Sequence, residues 1–413
     1  MHIARTQSYL KNKFMKKILV LTVGFPFPTY RGDKLRIVKI CEELSKEYAL
    51  DLLCLCMNKK ELNYNQPYLL FKTVNKVYLP KYKSLFQAFL SLFSKKPIHH
   101  SYYFSKVFLR KLTEKKDDYD MILAHLPRAG QYLLDIRHNC TFLEMTDTFS
   151  VSYENFSKKE SFLPLKFLKF IYKLEAKREK TFESLIIPKV NICSFISQET
   201  LKYLPQELKN SSNIKIYPNG VDLQKFPYIG STDGQTIVYI GNMNSTQNIL
   251  ACKYFLDKIF PEILKEIPRL KFKIIGVTPS HVFRLFEKYK NVELTGKVQE
   301  IFPHVKDAFC AVCPTFFGNS MQNKILEYMA LGIPVVTNYS GILGINVQGG
   351  LEILIAESPM EWQFHITELY NNEALRDELS KNAREYVEKH ASWNQALRDL
   401  NNDVNKILNL YFD

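Results

Sequence analysis

The loop Gly318-Asn319-Ser320-Met321-Gln322-Asn323 is built of small residues and amides. It opens an amphipathic helix that carries Lys324 and Glu327, and Gly332 stops that helix ahead of the apolar run Pro334 to Thr337. Ile325, Leu326 and Met329 fall on the side expected to be buried. A loop that feeds a helix N-terminus presents N–H groups without intrahelical partners and the positive end of the helix dipole, and both suit phosphate. Lys324 adds a cation. Glu327, some two turns along, offers a carboxylate to ribose hydroxyls. The chemistry expected of this stretch is the holding of a sugar nucleotide by its diphosphate and ribose.

Other candidates stand where predicted strands end. Gly24-Phe-Pro-Phe-Pro28 and Gly32-Asp33-Lys34-Leu-Arg36 follow the first strand. A helix opening there would use Asp33 as its N-cap, with Lys34 and Arg36 placed to meet an anion. The pattern GxGxxG is absent, which disfavours a dinucleotide. His125 ends the run MILAH and Asp147 ends LEMTD, positions that face ligand in a parallel sheet. Gly241, Asn242 and Asn248 belong to a second strand-to-helix loop suited to phosphate or sugar, and Thr295-Gly296-Lys297-Val298 could hold a base through backbone groups. Each loop is also what an ordinary turn looks like; their order and spacing give them joint weight. Asp118-Tyr-Asp120 has the spacing of a metal-binding pair but precedes its strand, at the wrong end of the sheet, and reads as an exposed turn. Cys310-Ala-Val-Cys313 lies in an apolar run with no second pair, and reads as buried strand rather than a zinc or redox site. No metal set and no cofactor is read from the chain.

These residues need a frame of parallel sheets to bring them together. Apolar runs alternate with helical patterns in both halves, which argues for βαβ units and two doubly wound α/β domains, with ligand between the carboxyl ends of their strands. Expected strands lie near 18–23, 50–56, 121–124, 141–145 and 191–195, then 236–240, 272–275, 292–294, 308–313, 334–337 and 352–355. Helices are expected near 33–48, 131–137, 163–184 and 247–267, and from Trp393 onward. The division reads as 1–14 an extension without structure, 15–212 a first domain, 213–390 a second, and 391–413 a terminal helix that packs back on the first. Met15-Lys16-Lys17 before ILVLTV resembles a translation start. Residues 1–17 contain no apolar signal core, and no run reaches the ~18 apolar residues of a spanning helix. The eight cysteines form no disulfide framework and fit a reducing, cytoplasmic setting.

Charge is unevenly placed. Residues 1–212 hold 36 Lys and Arg against 20 Asp and Glu, whereas residues 213–413 hold 20 against 22. The first half therefore expects an anionic partner. Two of its stretches are basic and apolar together, Lys81 to Lys96 and Leu163 to Lys180, the second with Leu165, Leu168 and Ile171 near one side. Both read either as helices with a solvated basic face or as a peripheral seat on anionic membrane. No nucleic-acid module is present, and no nucleic-acid partner is expected.

Taken together, Phe25-Pro-Phe-Pro28, Gly32-Asp-Lys-Leu-Arg36, Asn219-Gly-Val-Asp222 and Gln322-Asn-Lys-Ile-Leu-Glu327-Tyr-Met-Ala330 make the chain resemble the retaining glycosyltransferases of family 4, from Met15 to near its end. The resemblance is strongest to a branch of bacterial sugar transferases. It implies the GT-B fold of two facing Rossmann-like domains, a nucleotide-sugar donor held by the second domain and a glycan or lipid-linked acceptor held by the first. It implies donor contacts at Gly32, Asp33, Lys34, Gly241, Asn242, Asn248, Val298, Asn319, Ser320, Met321, Gln322, Asn323 and Glu327. His125, Lys324 and Asp147 would be catalytic, with Glu327 on the ribose and His125 near the transferred sugar, and no metal is implied. Asn319 stands where the family's first glutamate is expected, and Asn242 with Gln247 and Asn248 stands where an Arg and a Lys neutralise the diphosphate. The expectation is a metal-independent, retaining hexosyltransferase for cell-surface polysaccharide, cytoplasmic or peripheral on the inner membrane face. The alternatives are a non-catalytic sugar-nucleotide-binding or scaffolding subunit and another GT-B enzyme such as a sugar-nucleotide epimerase.

Overall fold

Strands that are apolar on both faces must be covered on both, which crossover helices do in a parallel sheet. The computed structural model, which describes residues 15–158, 166–315 and 321–412, shows this arrangement twice. One unit comprises Met1–Tyr217 with Leu397–Asp413, the other Pro218–Ala396.

The first unit runs β1 (Lys17–Val23), α1 (Gly32–Leu44), β2 (Ala49–Cys56), β3 (Val74–Tyr78), α2 (Lys81–Ser91), β4 (Met121–His125), β5 (Thr141–Thr146), α3 (Lys166–Ile186), β6 (Ile192–Phe195) and β7 (Ile214–Ile216). Its seven strands are all parallel, in the order β3-β2-β1-β4-β5-β6-β7. From Ile18 to Leu21 β1 is wholly buried, as a strand covered on both faces must be. The second unit runs β8 (Thr236–Ile240), α4 (Thr246–Tyr254), β9 (Lys271–Ile275), β10 (Val292–Leu294), β11 (Ala308–Cys313), α5 (Asn323–Leu331), β12 (Val335–Thr337) and β13 (Leu354–Ile355). Its sheet is also parallel, ordered β10-β9-β8-β11-β12-β13. The chain closes with α6 (Leu400–Phe412), whose Leu400, Val404 and Leu408 are buried at a four-residue spacing. Asn401 donates to the Glu43 carbonyl and Tyr48 to Asn405, so α6 is fastened to the end of α1 and the start of β2.

Strand order reverses between β1 and β4 in one unit and between β8 and β11 in the other. Ligands of doubly wound sheets collect at such switch points, because the loops leaving the two strands part to opposite faces. The strands foreseen from apolar runs are present. The short edge strand β3, interrupted by Asn75 and Lys76, was not foreseen; α2 falls within the basic, apolar stretch Lys81 to Lys96. The helical pattern expected over 247–267 is broken by a π turn at Phe255–Ile259, ahead of Pro261, which has no N–H to give the ladder. The terminal pattern is likewise two helices, Trp393–Ala396 in the second unit and α6 in the first.

Candidate functional site

In the first unit the switch point is organised by a residue the sequence reading passed over, Glu144 on β5. It is fully buried, and one carboxylate oxygen accepts from Arg36 Nε at 2.6 Å while the other meets His125 Nδ1 at 2.6 Å. The Thr146 N–H adds a third bond at 3.1 Å, and Arg36 also donates to the Tyr217 carbonyl at 2.8 Å. Burial alone would push the Glu144 carboxyl up; Arg36 and His125 outweigh it and hold the group down at about 2. Carboxylate pairing fixes the imidazole's orientation, and its other nitrogen, Nε2, is buried with no hydrogen-bond partner. The backbone is strained on either side: Leu126 has φ +68° and Thr146, a β-branched residue, φ +64°. Such angles cost ~1–3 kcal/mol each and gather where geometry serves a site. Nearby, Asp33 accepts from Arg128 at 2.8 Å and from Arg31 at 2.9 Å. Burial would raise its carboxyl, but Arg128, Arg31 and His125 keep it below its usual range.

In the second unit α5 lies beneath the end of β8. Tyr328, buried in the helix, accepts from the Ile240 N–H at 2.6 Å, and Lys324, one turn earlier, donates to Tyr239 Oη at 2.6 Å and Asn248 Oδ1 at 2.9 Å. The ammonium also lies 4.0 Å from the Tyr239 ring centroid. Asn248 passes the network on through its amide to the Asn242 carbonyl at 2.9 Å. Burial lowers the Lys324 ammonium and raises the Glu327 carboxyl, each being held in part by the other's charge. The loop that begins at Gly241 is laid against the one after β9 by Gly241 N–H to Ile275 O and Met243 N–H to Val277 O. That approach demands glycine, since Gly276 has φ +140° and a Cβ there would stand 2.2 Å from the Gly241 carbonyl oxygen. Thr295 joins them, accepting from the Gly276 N–H at 3.4 Å. Asn219 reaches the start of α5 by donating to Asn323 Oδ1 at 2.8 Å. Gln322 is the N-cap of the helix, without a side-chain cap bond, and Gly332 closes the helix at φ +78°. This is a polar shelf made by the loops after β8, β9 and β10 and the first turn of α5.

One group among the described residues has the composition of a metal set: His99, His100 and Glu179, with ligand atoms within 4.8 Å of one another. The Glu179 carboxylate already lies 3.1 Å from His100 Nε2, while the His100 ring packs on Phe182 and the His99 ring on Tyr103. His99 Nδ1, His100 Nε2 and both Glu179 carboxylate oxygens are buried without a hydrogen-bond partner, so the charge contact satisfies the group only in part. The eight cysteines are all free and buried, Cys310 and Cys313 on β11 included.

Residues 234–372, most of the second unit, match the family model described as "Glycosyl transferases group 1". The second unit carries a glycosyl transferases group 1 domain. Along the chain, an uncharacterised glycosyltransferase of Methanocaldococcus jannaschii is 23% identical over 257 residues, 58% of this chain and 64% of that protein, so under two thirds of it is spanned. A 44.6 kDa protein in the cps region of Klebsiella pneumoniae is 22% identical over 398 residues, 91% of this chain and 96% of that one. Among solved structures, sucrose-phosphate synthase from Thermosynechococcus elongatus has a TM-score of 0.72 at 14% identity, covering 96% of this chain and 100% of its own. Anabaena HepE in complex with UDP has 0.64 at 12%, covering 95% and 100%. The fold is therefore that of GT-B glycosyltransferases.

Of the residues expected at the donor site, the group 1 domain joins Asn242, Asn248 and Lys324 in one network, while Gly241 bonds to Ile275 and Asn323 to Asn219, with Met321 buried and Gln322 at the N-cap of α5. Glu327 stands one turn into α5, not two, because the helix begins at Asn323. Val298 is half-buried in the loop beyond β10. Gly318, Asn319 and Ser320 lie outside the described residues. In the first unit two expectations are corrected. Helix α1 starts at Gly32 with Arg31 at its N-cap, so Asp33 caps nothing and instead gathers two arginines. Arg36 is not a cation at the surface but a buried one, with Glu144 as its partner. Lys34 pairs with Glu61 at 3.5 Å. Asp147, just after β5, accepts from Thr200 at 3.3 Å. Sequence reasoning missed Glu144, Arg128, Tyr239, Gly276 and Tyr328. Glu144 left a signal, a lone carboxylate inside an apolar strand, which burial forces to find partners.

Proposed function

We propose that the protein is a glycosyltransferase that moves a sugar from a nucleotide-sugar donor to a glycan or lipid-linked acceptor. We place it in bacterial cell-surface polysaccharide synthesis, on the cytoplasmic side, with retention of configuration and without a metal. The observation that carries this reading is the shelf at the β8/β11 switch point, where Lys324 and the first turn of α5 adjoin the loop from Gly241 to Asn248 inside the group 1 domain. Departure of a nucleoside diphosphate concentrates negative charge on its phosphate, and a preorganised ammonium with helix-end N–H groups stabilises that charge as it develops. Glu327 accepts from the ribose hydroxyls. On the first unit, a sugar hydroxyl bonded to His125 Nε2 would give that orphaned nitrogen its partner. The leaving phosphate itself takes the acceptor proton, so no side chain is assigned as base. HepE in complex with UDP makes uridine diphosphate the first leaving group to try, and the relative in a cps region supports the polysaccharide role.

The test supplies purified protein with a panel of sugar nucleotides and bacterial lipid extract, with and without EDTA. Release of nucleoside diphosphate and an NMR-assigned product of retained configuration support the proposal; no release from any donor overturns it. One feature favours a second reading, a binding or scaffolding subunit: Asn242 and Gln247 are uncharged, and Lys324 is the cation that Tyr239 and Asn248 hold. Loss of turnover in a folded Lys324→Ala protein would eliminate it. A new sugar nucleotide formed without acceptor would instead identify an epimerase.

A further inference from the structure

Helix α2 carries its apolar stripe on the outside. Its buried positions are Ser84 and Ser91, seven residues apart, while Tyr82, Leu85, Phe86, Phe89 and Leu90 are 69, 62, 63, 58 and 50% exposed and Phe93, just beyond the helix, is 82% exposed. Measured from Tyr82 these fall at i, i+3, i+4, i+7, i+8 and i+11, one continuous face. A domain helix ordinarily turns such a face inward. Here the serines take the inner side, and Ser91 satisfies its hydroxyl within the helix by donating to the Ala88 carbonyl at 2.6 Å.

The rim of the face is basic. Lys81 and Lys83 flank Tyr82 at the start of the stripe, and Lys95 and Lys96 follow its end. From Leu62 to Thr113 the chain holds nine Lys and Arg and no Asp or Glu. A partner must therefore be apolar where it meets Phe86 and Phe89 and anionic around them. A second copy of the chain offers the opposite, since two such faces would set lysine against lysine. Eleven residues at ~1.5 Å each are about half of what a ~30 Å hydrocarbon core requires, so the helix can only lie in the interface plane. No helix among the described residues is long and apolar enough to cross a membrane.

We propose that α2 seats the first unit on an anionic lipid bilayer, Leu85, Phe86, Phe89, Leu90 and Phe93 entering the acyl boundary while the four lysines contact headgroups. In the other basic stretch, α3 buries Glu175, Glu179 and Glu183 along one side. The seat stands independently of the activity proposed above and is read without it.

The test is co-sedimentation of the full chain with vesicles of phosphatidylcholine alone or mixed with phosphatidylglycerol. Binding should require the anionic lipid and weaken as salt rises. The double variant Leu85→Glu/Phe89→Glu should bind at least about tenfold less, since burying each such side chain is worth a factor of ten or more. Circular dichroism should show it folded, as both residues stand in solvent; Phe86→Ser/Phe93→Ser should repeat the loss. Met360→Glu/Phe364→Glu, a pair 76 and 61% exposed in the second unit, should bind like the parent. The proposal is overturned if the parent ignores anionic vesicles or if either α2 variant binds undiminished. A dimer in solution that Leu85→Glu/Phe89→Glu dissolves also overturns it, because the face would then belong to a second copy.

Discussion

Replacing Glu144 by Gln should be among the most damaging single changes to the first unit. The carboxylate is fully buried and holds Arg36 and His125 at 2.6 Å each. Its carboxyl is held down at about 2 from an ordinary 4.5. At ~1.36 kcal/mol per pH unit, the charged contacts contribute about 3 kcal/mol near neutrality. The folded value being depressed, that contribution is complete above the unfolded value of about 4.5 and drains away as pH falls toward 2. Glu144→Gln removes the charge and leaves the Arg36 guanidinium buried, a change that costs about 3–5 kcal/mol. Removing both partners, Arg36→Met with Glu144→Gln, should cost less than the sum of the single changes by more than ~1 kcal/mol, since no orphaned charge remains. Urea unfolding followed by far-UV circular dichroism at pH 7 measures this. Trp362 and Trp393, the only two tryptophans, lie in the other unit, so fluorescence serves as an internal reference. A single-variant loss under about 1 kcal/mol at pH 7, or strict additivity, would refute the view that Glu144 is the pinned centre of this site.

Three further outcomes follow from particular groups. Glu183 accepts from the Ser150 N–H and hydroxyl, yet burial pushes its carboxyl up to about 7. The native state thus holds a proton the unfolded chain has lost between about 4.5 and 7, stability falls as pH rises through that window, and Glu183→Gln should gain up to about 3 kcal/mol at pH 8 and almost nothing at pH 4. Lys324→Met should leave unliganded stability within about 1 kcal/mol, because burial already disfavours the ammonium. It should nonetheless abolish the thermal shift given by nucleoside diphosphate, and a full shift in the variant would remove Lys324 from the phosphate site. Gly276→Ala should cost more than about 2 kcal/mol by urea unfolding, the new Cβ meeting the Gly241 carbonyl at 2.2 Å with φ at +140°.

Much of the sheet framework could be read directly, because buried parallel strands write themselves as uninterrupted apolar runs; β1, β8 and β11 left no alternative period. Loops at the carboxyl ends of strands could also be read, and the structure has His125 at the end of β4 and Lys324 beside the loop that Gly241 begins after β8. What could not be read was pairing across the sheet. Arg36 looks like a surface cation in a helical pattern, and only the adjacency of β1, β4 and β5 brings it onto Glu144, 108 residues away. Gly276 is similar, since its need for glycine arises from a neighbouring loop rather than from its own turn. Exposure of α2 was also hidden: an apolar face at helical spacing looks the same in sequence whether it points inward or out.

Hydrogen exchange of the full chain with and without saturating uridine diphosphate bears most directly on the central claim. A ligand at a hundredfold its Kd stabilises its site by about 2.7 kcal/mol, which should appear as roughly hundredfold slower exchange in segments 241–248, 274–278 and 321–328. The account predicts protection there and little elsewhere in the second unit. Exchange unchanged in all three segments, across uridine, guanosine, adenosine, cytidine and thymidine diphosphates alike, would contradict it.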